Sequence, residues 1–402
     1  MSPQFAGVVR MKNEADIIES FVRHHARLLD QLVVIDNGSC DASLAIVQRL
    51  ADEGLPITLL DDDVIAYHQS EVMTYYSRMI FARFNCDRLF LLDADEFLKV
   101  GSRAELEQRI ASISHDTHGL IPWMTYAPSA DDDASEANPV ARIAHRHAEE
   151  PQRFKLVLAQ VFAHQADAVI IQGNHDLRSA YATCRRTPIA DLQLAHFPVR
   201  SIRQIQSKAV AGWTAYIALG GEDRGQGYQW KALYEKLRRD PVWAPDDLYE
   251  IGANYPELAG PRRAALVHDP FPFTEALRYA DAEALDPLQV ALDSARDVAR
   301  LYTAACRARD ESAPTLARVQ EDLDCLRRDT AAQQHDRQTL HDLVNVTMQQ
   351  IEDLESGRVI RAAVALTMFW RRLRGRLVRG AVRTRRTQEP GITLQASAEE
   401  FP

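Results

Sequence analysis

Cysteine is scarce: the 402 residues hold five, Cys40, Cys86, Cys184, Cys306 and Cys325, with no CxxC pair among them. That pattern excludes a disulfide framework and a thiolate zinc cage, and it suits a reducing compartment. The N-terminal stretch lacks a basic segment followed by an apolar one, so no export signal is predicted. Long apolar runs are missing as well. The best candidate, Ala362–Trp370, is about half of the ~18–20 residues that a bilayer span requires. These absences predict a cytoplasmic protein, with attachment to the inner face of a membrane left open. Positive charge is also short, except at one end. Residues 1–357 carry 37 Lys+Arg against 54 Asp+Glu, whereas residues 358–402 carry 10 Arg against 3 Glu. Nucleic-acid binding depends on neutralising phosphates, so a body this acidic excludes nucleic acid as the expected partner.

What is present is ordinary for a globular chain, with 46% hydrophobic and 26% charged residues, and the length allows two or three domains. The first hundred residues alternate strand-like and helix-like segments. Phe5–Arg10, Gln31–Ile35, Ile57–Leu60 and Arg88–Leu92 read as strands, and Ala15–Leu29, Ser43–Leu50 and Tyr75–Phe84 as helices. Alternation at this spacing predicts an α/β fold with a mostly parallel sheet and helices on both faces. Further strands are expected near Gly119–Tyr126, Leu156–Phe162 and Ala168–Gln172. The acidic Asp131–Ala137 is expected as an exposed loop, Ser201–Gly212 as a helix, and residues 213–275 as loops rich in Gly, Trp and Pro. Beyond Thr274 the chain turns to long helices.

In open α/β sheets ligands bind beyond the carboxyl ends of the strands, and the polar clusters of this sequence fall there. Lys12-Asn13-Glu14 follows the first strand and offers a cation for phosphate, although Asn13 and Glu14 also suit a helix start. Asp36-Asn37-Gly38-Ser39-Cys40-Asp41 follows the second; Asp36 suits a ribose or base, and Asp41 or Ser43 suits a helix cap. Asp93-Ala94-Asp95 closes the apolar run Leu89–Leu92. Carboxylates two apart at a strand end can converge on one hard cation, and Mg²⁺ or Mn²⁺ commonly shares such ligands with substrate phosphates.

Together these motifs, with His24-His25 and Asp93-Ala94-Asp95-Glu96-Phe97, make the chain resemble the family 2 glycosyltransferases of GT-A fold, over about residues 5–240. The resemblance implies that Asp36 contacts the nucleoside, Asp93 the ribose or metal, and Asp95 the metal. The segments Gly173–Asp176 and His196–Ser201 are similar to family segments that close over the diphosphate. From them either His175 or His196 would complete the metal shell. Arg200 and Lys208 would serve as diphosphate cations, Arg200 through its fork geometry; the alternative is surface charge on the helix after Ser201. Glu222-Asp223 is similar to the Glu-Asp pair that supplies the general base in an inverting transfer, with Asp176 and Glu96 as rivals. The implied reaction moves a hexose-type sugar from a nucleoside-diphosphate donor to a hydroxyl of a glycan or lipid-linked acceptor. A nucleotidyltransferase is the first alternative, and the glycine-rich basic loop it usually carries after strand one is missing from Gly7–Lys12. A non-catalytic nucleotide-sugar-binding scaffold is the second.

The expected organisation is a catalytic domain over 1–275, a helical region over 276–357 and a basic segment over 358–402. Leu316, Val319, Leu323, Leu326, Leu340, Val344, Ile351 and Leu354 keep one heptad register, consistent with a dimeric coiled coil or with a helical hairpin folding back. Residues 358–386 combine arginines with Phe369, Trp370 and aliphatics. They suit an amphipathic helix on anionic lipid, against a disordered tail or a helix docked on the acidic body.

Overall fold

A computed structural model describes residues 3–62, 68–181, 183–218, 227–256, 264–280, 286–330, 344–350, 352 and 363–371. In chain order the first elements are β1 (Phe5–Met11), α1 (Ile18–Ala26), β2 (Gln31–Asp36), α2 (Ser43–Asp52), β3 (Ile57–Asp61), α3 (Gln69–Arg83) and β4 (Arg88–Leu92). There follow β5 (Glu96–Leu98), α4 (Arg103–Ile110), β6 (His118–Thr125), α5 (Pro139–Arg142), β7 (His145–His147), β8 (Phe154–Ala159), β9 (Val169–Ile170), β10 (Leu177–Arg178), β11 (Arg186–Pro188) and β12 (Leu194–His196). The last are α6 (Ile202–Ile217), α7 (Tyr228–Arg239), α8 (Pro245–Asn254), β13 (Leu266–His268) and α9 (Pro287–Thr330). The chain divides into two units, Met1–Val298 and Ala299–Pro402.

The main sheet runs β3-β2-β1-β4-β8-β6-β12-β5, with β11 beside β6. β3, β2, β1 and β4 are mutually parallel, β8 is antiparallel to both β4 and β6, and β12 runs parallel to β6. Side chains of a strand alternate between faces, and here both faces are apolar, so the central strands read as continuous hydrophobic runs. Phe5, Val9, Leu32, Val34, Phe90 and Leu92 face α1 and α2. Ala6, Val8, Val33, Ile35, Leu89 and Leu91 face Met73 and Ile80 of α3. A third cluster joins α6, α7 and α8 through Ile205, Leu233, Trp243 and Ile251.

Two helices, α7 and α8, thus occupy the stretch expected to be loop. Their apolar positions pack on α6 as a separate layer, while Gly227, Pro241 and Pro245 punctuate only their ends. Asp131–Ala137 is an irregular, largely exposed segment, as expected. His24 and His25 are buried and bind backbone: His24 Nε2 lies 2.8 Å from the Leu98 carbonyl, and His25 Nδ1 lies 2.8 Å from that of Phe21. They tie α1 to β5 and take no part in the pocket described next.

Candidate active site

The turn after β1 is held by the turn after β2. Asn13 sits in the left-handed region (φ 60°), and its N–H donates to Ser39 Oγ at 3.0 Å. The Glu14 N–H donates to Ser43 Oγ at 2.7 Å, the Ala15 N–H donates to Asp41 at 3.0 Å, and the Cys40 N–H returns to Asn13 Oδ1 at 2.8 Å. Residues 39–43 therefore clip the first loop in place. Asp36 accepts the Ser39 N–H at 3.1 Å through Oδ2, while its Oδ1 is buried with no hydrogen-bond partner. Lys12 reaches Asp297 at 3.4 Å.

β4 delivers Asp93 and Asp95, and β5 turns back at once to pair antiparallel with β12, which sets Glu96 opposite His196. Asp95 is buried and bound to Lys208 at 2.5 Å; its other oxygen lies 3.7 Å from His196 Nε2. Burial opposes its ionisation, but Lys208, His196 and Arg200 outweigh that and hold the carboxyl below the usual carboxylate range. Asp93 is the more open of the pair and is bound by Lys155 at 2.5 Å, with Glu96 3.2 Å from the same ammonium. Glu96 is fully buried, which pushes its carboxyl well up despite Lys155.

Asp93, Asp95, Glu96, His196 and Lys208 line one cavity of about 310 Å³, together with Lys12, Asn13, Glu14, Asn37, His175, Trp123, Arg153, Gln204 and Tyr255. Asp93, Asp95, His175, His196 and Lys208 are thus brought together. The Trp123 ring centroid lies 5.1 Å from that of each histidine. Burial lowers His196 to about 4, and burial with the Lys155 charge lowers His175. Asp36 is buried and does not line the cavity. Arg200 does not either. It is fully buried, with its fork on Asp16 at 2.7 and 2.8 Å and on Glu14. Burial pushes Glu14 up to about 7 against the pull of Arg200 and Lys208. Asp176 is engaged by Arg186 at 2.7 Å. Glu222 and Asp223 lie outside the described residues.

Asp95 Oδ1 and His196 Nε2, 3.7 Å apart without a hydrogen bond, are an oxygen and a nitrogen donor that could hold a divalent ion. Among the described residues no group of three His, Cys, Asp or Glu side chains forms a complete cage. Mg²⁺ and Mn²⁺ draw much of their shell from water and substrate phosphate, so an open two-ligand seat fits an ion shared with a diphosphate.

Sequence reasoning missed Lys155, Asp16, Arg153, Trp123 and Tyr255. Lys155 alone left a visible trace, as a charge set directly before the apolar run Leu156–Ala159. No protein-family model matches the chain, and no curated protein matches its sequence. Several solved structures resemble it distantly. A mannosyltransferase from Pyrobaculum calidifontis, in complex with GDP-Man and Mn²⁺, is 13% identical with a TM-score of 0.30, over 89% of this chain and 88% of that one. TarS residues 1–349 from S. aureus are 12% identical with a TM-score of 0.31, over 58% and 76%. Glucosyl-3-phosphoglycerate synthase from Mycobacterium tuberculosis is 14% identical with a TM-score of 0.23, over 30% and 44%. Likeness this distant fixes neither substrate nor reaction. The α/β class with a mostly parallel sheet and helices on both faces, expected of a GT-A fold, is given by the strand order itself.

Proposed function

We propose that the protein is a divalent-metal-dependent glycosyltransferase using a nucleoside-diphosphate-sugar donor. The observation that carries this reading is the placing of Asp93, Asp95, His196 and Lys208 in one cavity at the carboxyl ends of β1 and β4. The nucleoside would lie over the clipped turns after β1 and β2, beside Lys12, Asn13 and Asn37, with Asp36 supporting the floor. Asp95 and His196, with Asp93 at the rim, would hold Mn²⁺ or Mg²⁺; when bound, the ion would offset charge developing on the leaving diphosphate. Lys208 would move from Asp95 to a phosphate oxygen. Arg200 would act indirectly, by fixing Glu14 and Asp16 under the site. His175 stays the second metal candidate, since its Nδ1 lies 2.8 Å from the Phe154 carbonyl, which would leave Nε2 to a metal.

The acceptor hydroxyl, on a glycan or a lipid-linked glycan, would enter from the side of Trp123, Trp230 and Tyr255. Among the rivals for the base, Glu96 is bound to Lys155 and Asp176 to Arg186, which favours Glu222 or Asp223 in an inverting transfer. We also propose residues 1–275 as the catalytic region, residues 276–357 as a helical stem able to pair in a homodimer, and residues 358–386 as an anchor on anionic lipid. A thermal-shift screen of UDP- and GDP-sugars with and without Mn²⁺, followed by donor hydrolysis, tests the reading. Metal-dependent stabilisation by one donor class, with release of the diphosphate, is expected. Binding without hydrolysis or transfer would favour the scaffold reading, and release of pyrophosphate from a nucleoside triphosphate would favour nucleotidyl transfer.

A further inference from the structure

Arg153 has a position in the cavity that the donor does not explain. It lines the cavity just before β8, and its guanidinium makes no hydrogen bond or ion pair with any described residue. Several carboxylates of the cavity and of adjoining segments have partners other than Arg153. Asp93 and Glu96 are held by Lys155, Glu150 accepts the Thr125 N–H and hydroxyl, each at 2.7 Å, and Asp176 pairs with Arg186. Its backbone is fixed, because the Trp123 N–H donates to the Arg153 carbonyl at 3.2 Å and Phe154 pairs in register with Pro122. A half-buried cation with no partner among the described residues keeps its donors for a ligand in the cavity it lines, and guanidinium is the side chain best shaped for a planar or tetrahedral oxyanion.

Strand order says which part of a substrate would meet it. Lys12 and Asn13 stand at the end of β1, the two aspartates at the end of β4, and Arg153 at the β8–β6 edge beyond them. Neighbouring strands are about 4.8 Å apart, so Arg153 lies two strands, roughly 10 Å, from the β1 loop. A donor with its nucleoside on β1 and its diphosphate over Asp93 and Asp95 would carry its sugar between β4 and β8, so the attacking hydroxyl would come in from the Arg153 end of the cavity.

We propose that Arg153 is the anion-recognising residue of the acceptor side, and that the acceptor is a saccharide carrying a carboxylate or a phosphate near the hydroxyl that is glycosylated. This rests on the glycosyltransferase reading above. The test uses the full chain loaded with UDP or GDP and Mn²⁺, with methyl glucuronide and glucose 6-phosphate as anionic probes and methyl glucoside as the neutral one, in titrations followed by ligand NMR. At least one anionic probe is expected to bind about tenfold or more tighter than the neutral one. Arg153→Gln should abolish that advantage, Arg153→Lys should keep part of it, and the nucleotide affinity should stay within about twofold in both. Two results would overturn the proposal: an equal affinity of wild type for charged and neutral probes, or a loss in Arg153→Gln that falls on the nucleotide instead. If neither nucleotide binds wild type at all, the donor reading itself fails, and this inference falls with it for a different reason.

Discussion

At the scale of single residues, the site is a set of paired charges in which few partners are redundant. Asp95 meets Lys208, and Arg200 and His196 stand 3.7 Å from it. Asp95→Asn removes the charge that a cation would need. Turnover should fall on the order of 10²-fold or more, and Mn²⁺ should no longer strengthen donor binding. Near wild-type turnover of this variant would misplace the metal seat. Arg200 shows what a sequence hides at this scale. Its charge was visible, but not its burial, because Asp16 is 184 positions away and only the packing of β12 against the β1 loop brings the two together.

At the scale of elements, α1 does more than cover the sheet. Glu19, fully buried on it, accepts the backbone N–H groups of Arg278, Tyr279 and Ala280 and is paired with Arg23 at 2.8 Å. One carboxylate thus fastens the segment leaving the sheet region to the first helix. Hydrogen bonds to a charged group contribute about 1.5–3 kcal/mol each. Glu19→Gln should therefore lower unfolding free energy by about 2 kcal/mol or more in denaturant titrations and leave nucleotide affinity unchanged; an unaltered denaturation midpoint would contradict the fastening role. The strands β1 to β4 and the helices between them were legible because both periodicities are strong and each run ends in turn residues. β5 and β12 were not, since each is three residues long and is defined only by its partner. α7 and α8 were lost for another reason. Trp230, Trp243 and nearby glycines and prolines look like loop composition, although the aromatic side chains pack into the α6 layer.

For the whole molecule, buried histidines away from the cavity, His24 and His118 among them, contribute a response to acid. Burial lowers His24 and His118 to about 4, from an ordinary value near 6.5. At these two sites the unfolded chain then binds more protons than the folded one between those values, so their contribution to stability should decline as pH falls from about 6.5 to about 4, while Glu14, pushed up to about 7, contributes the opposite slope. Urea titrations at stepped pH would check this, and His118→Gln should lessen the slope. A chain ending at Gly357 should keep donor hydrolysis and lose binding to anionic vesicles, with high salt imitating the loss, because each basic side chain near such a surface contributes about 1 kcal/mol. Vesicle binding that survives the truncation would remove the tail as an anchor.

The ammonium of Lys208 on Asp95 has a thermodynamic corollary. The lysine is the resident counter-ion of the carboxylate proposed to hold the metal, so a free cation would have to compete with it, whereas a diphosphate arriving alongside would give the lysine a new oxyanion. Metal and nucleotide should then be positively coupled, and coupling of this kind is reciprocal: Mn²⁺ must tighten UDP or GDP by the same factor by which the nucleotide tightens Mn²⁺. Calorimetric titration around the four sides of that cycle should show each ligand binding weakly alone and about tenfold or more tighter in the other's presence. Lys208→Met should raise the affinity for Mn²⁺ alone while shrinking the coupling factor. Independent binding in the wild type would mean that the lysine never leaves its carboxylate.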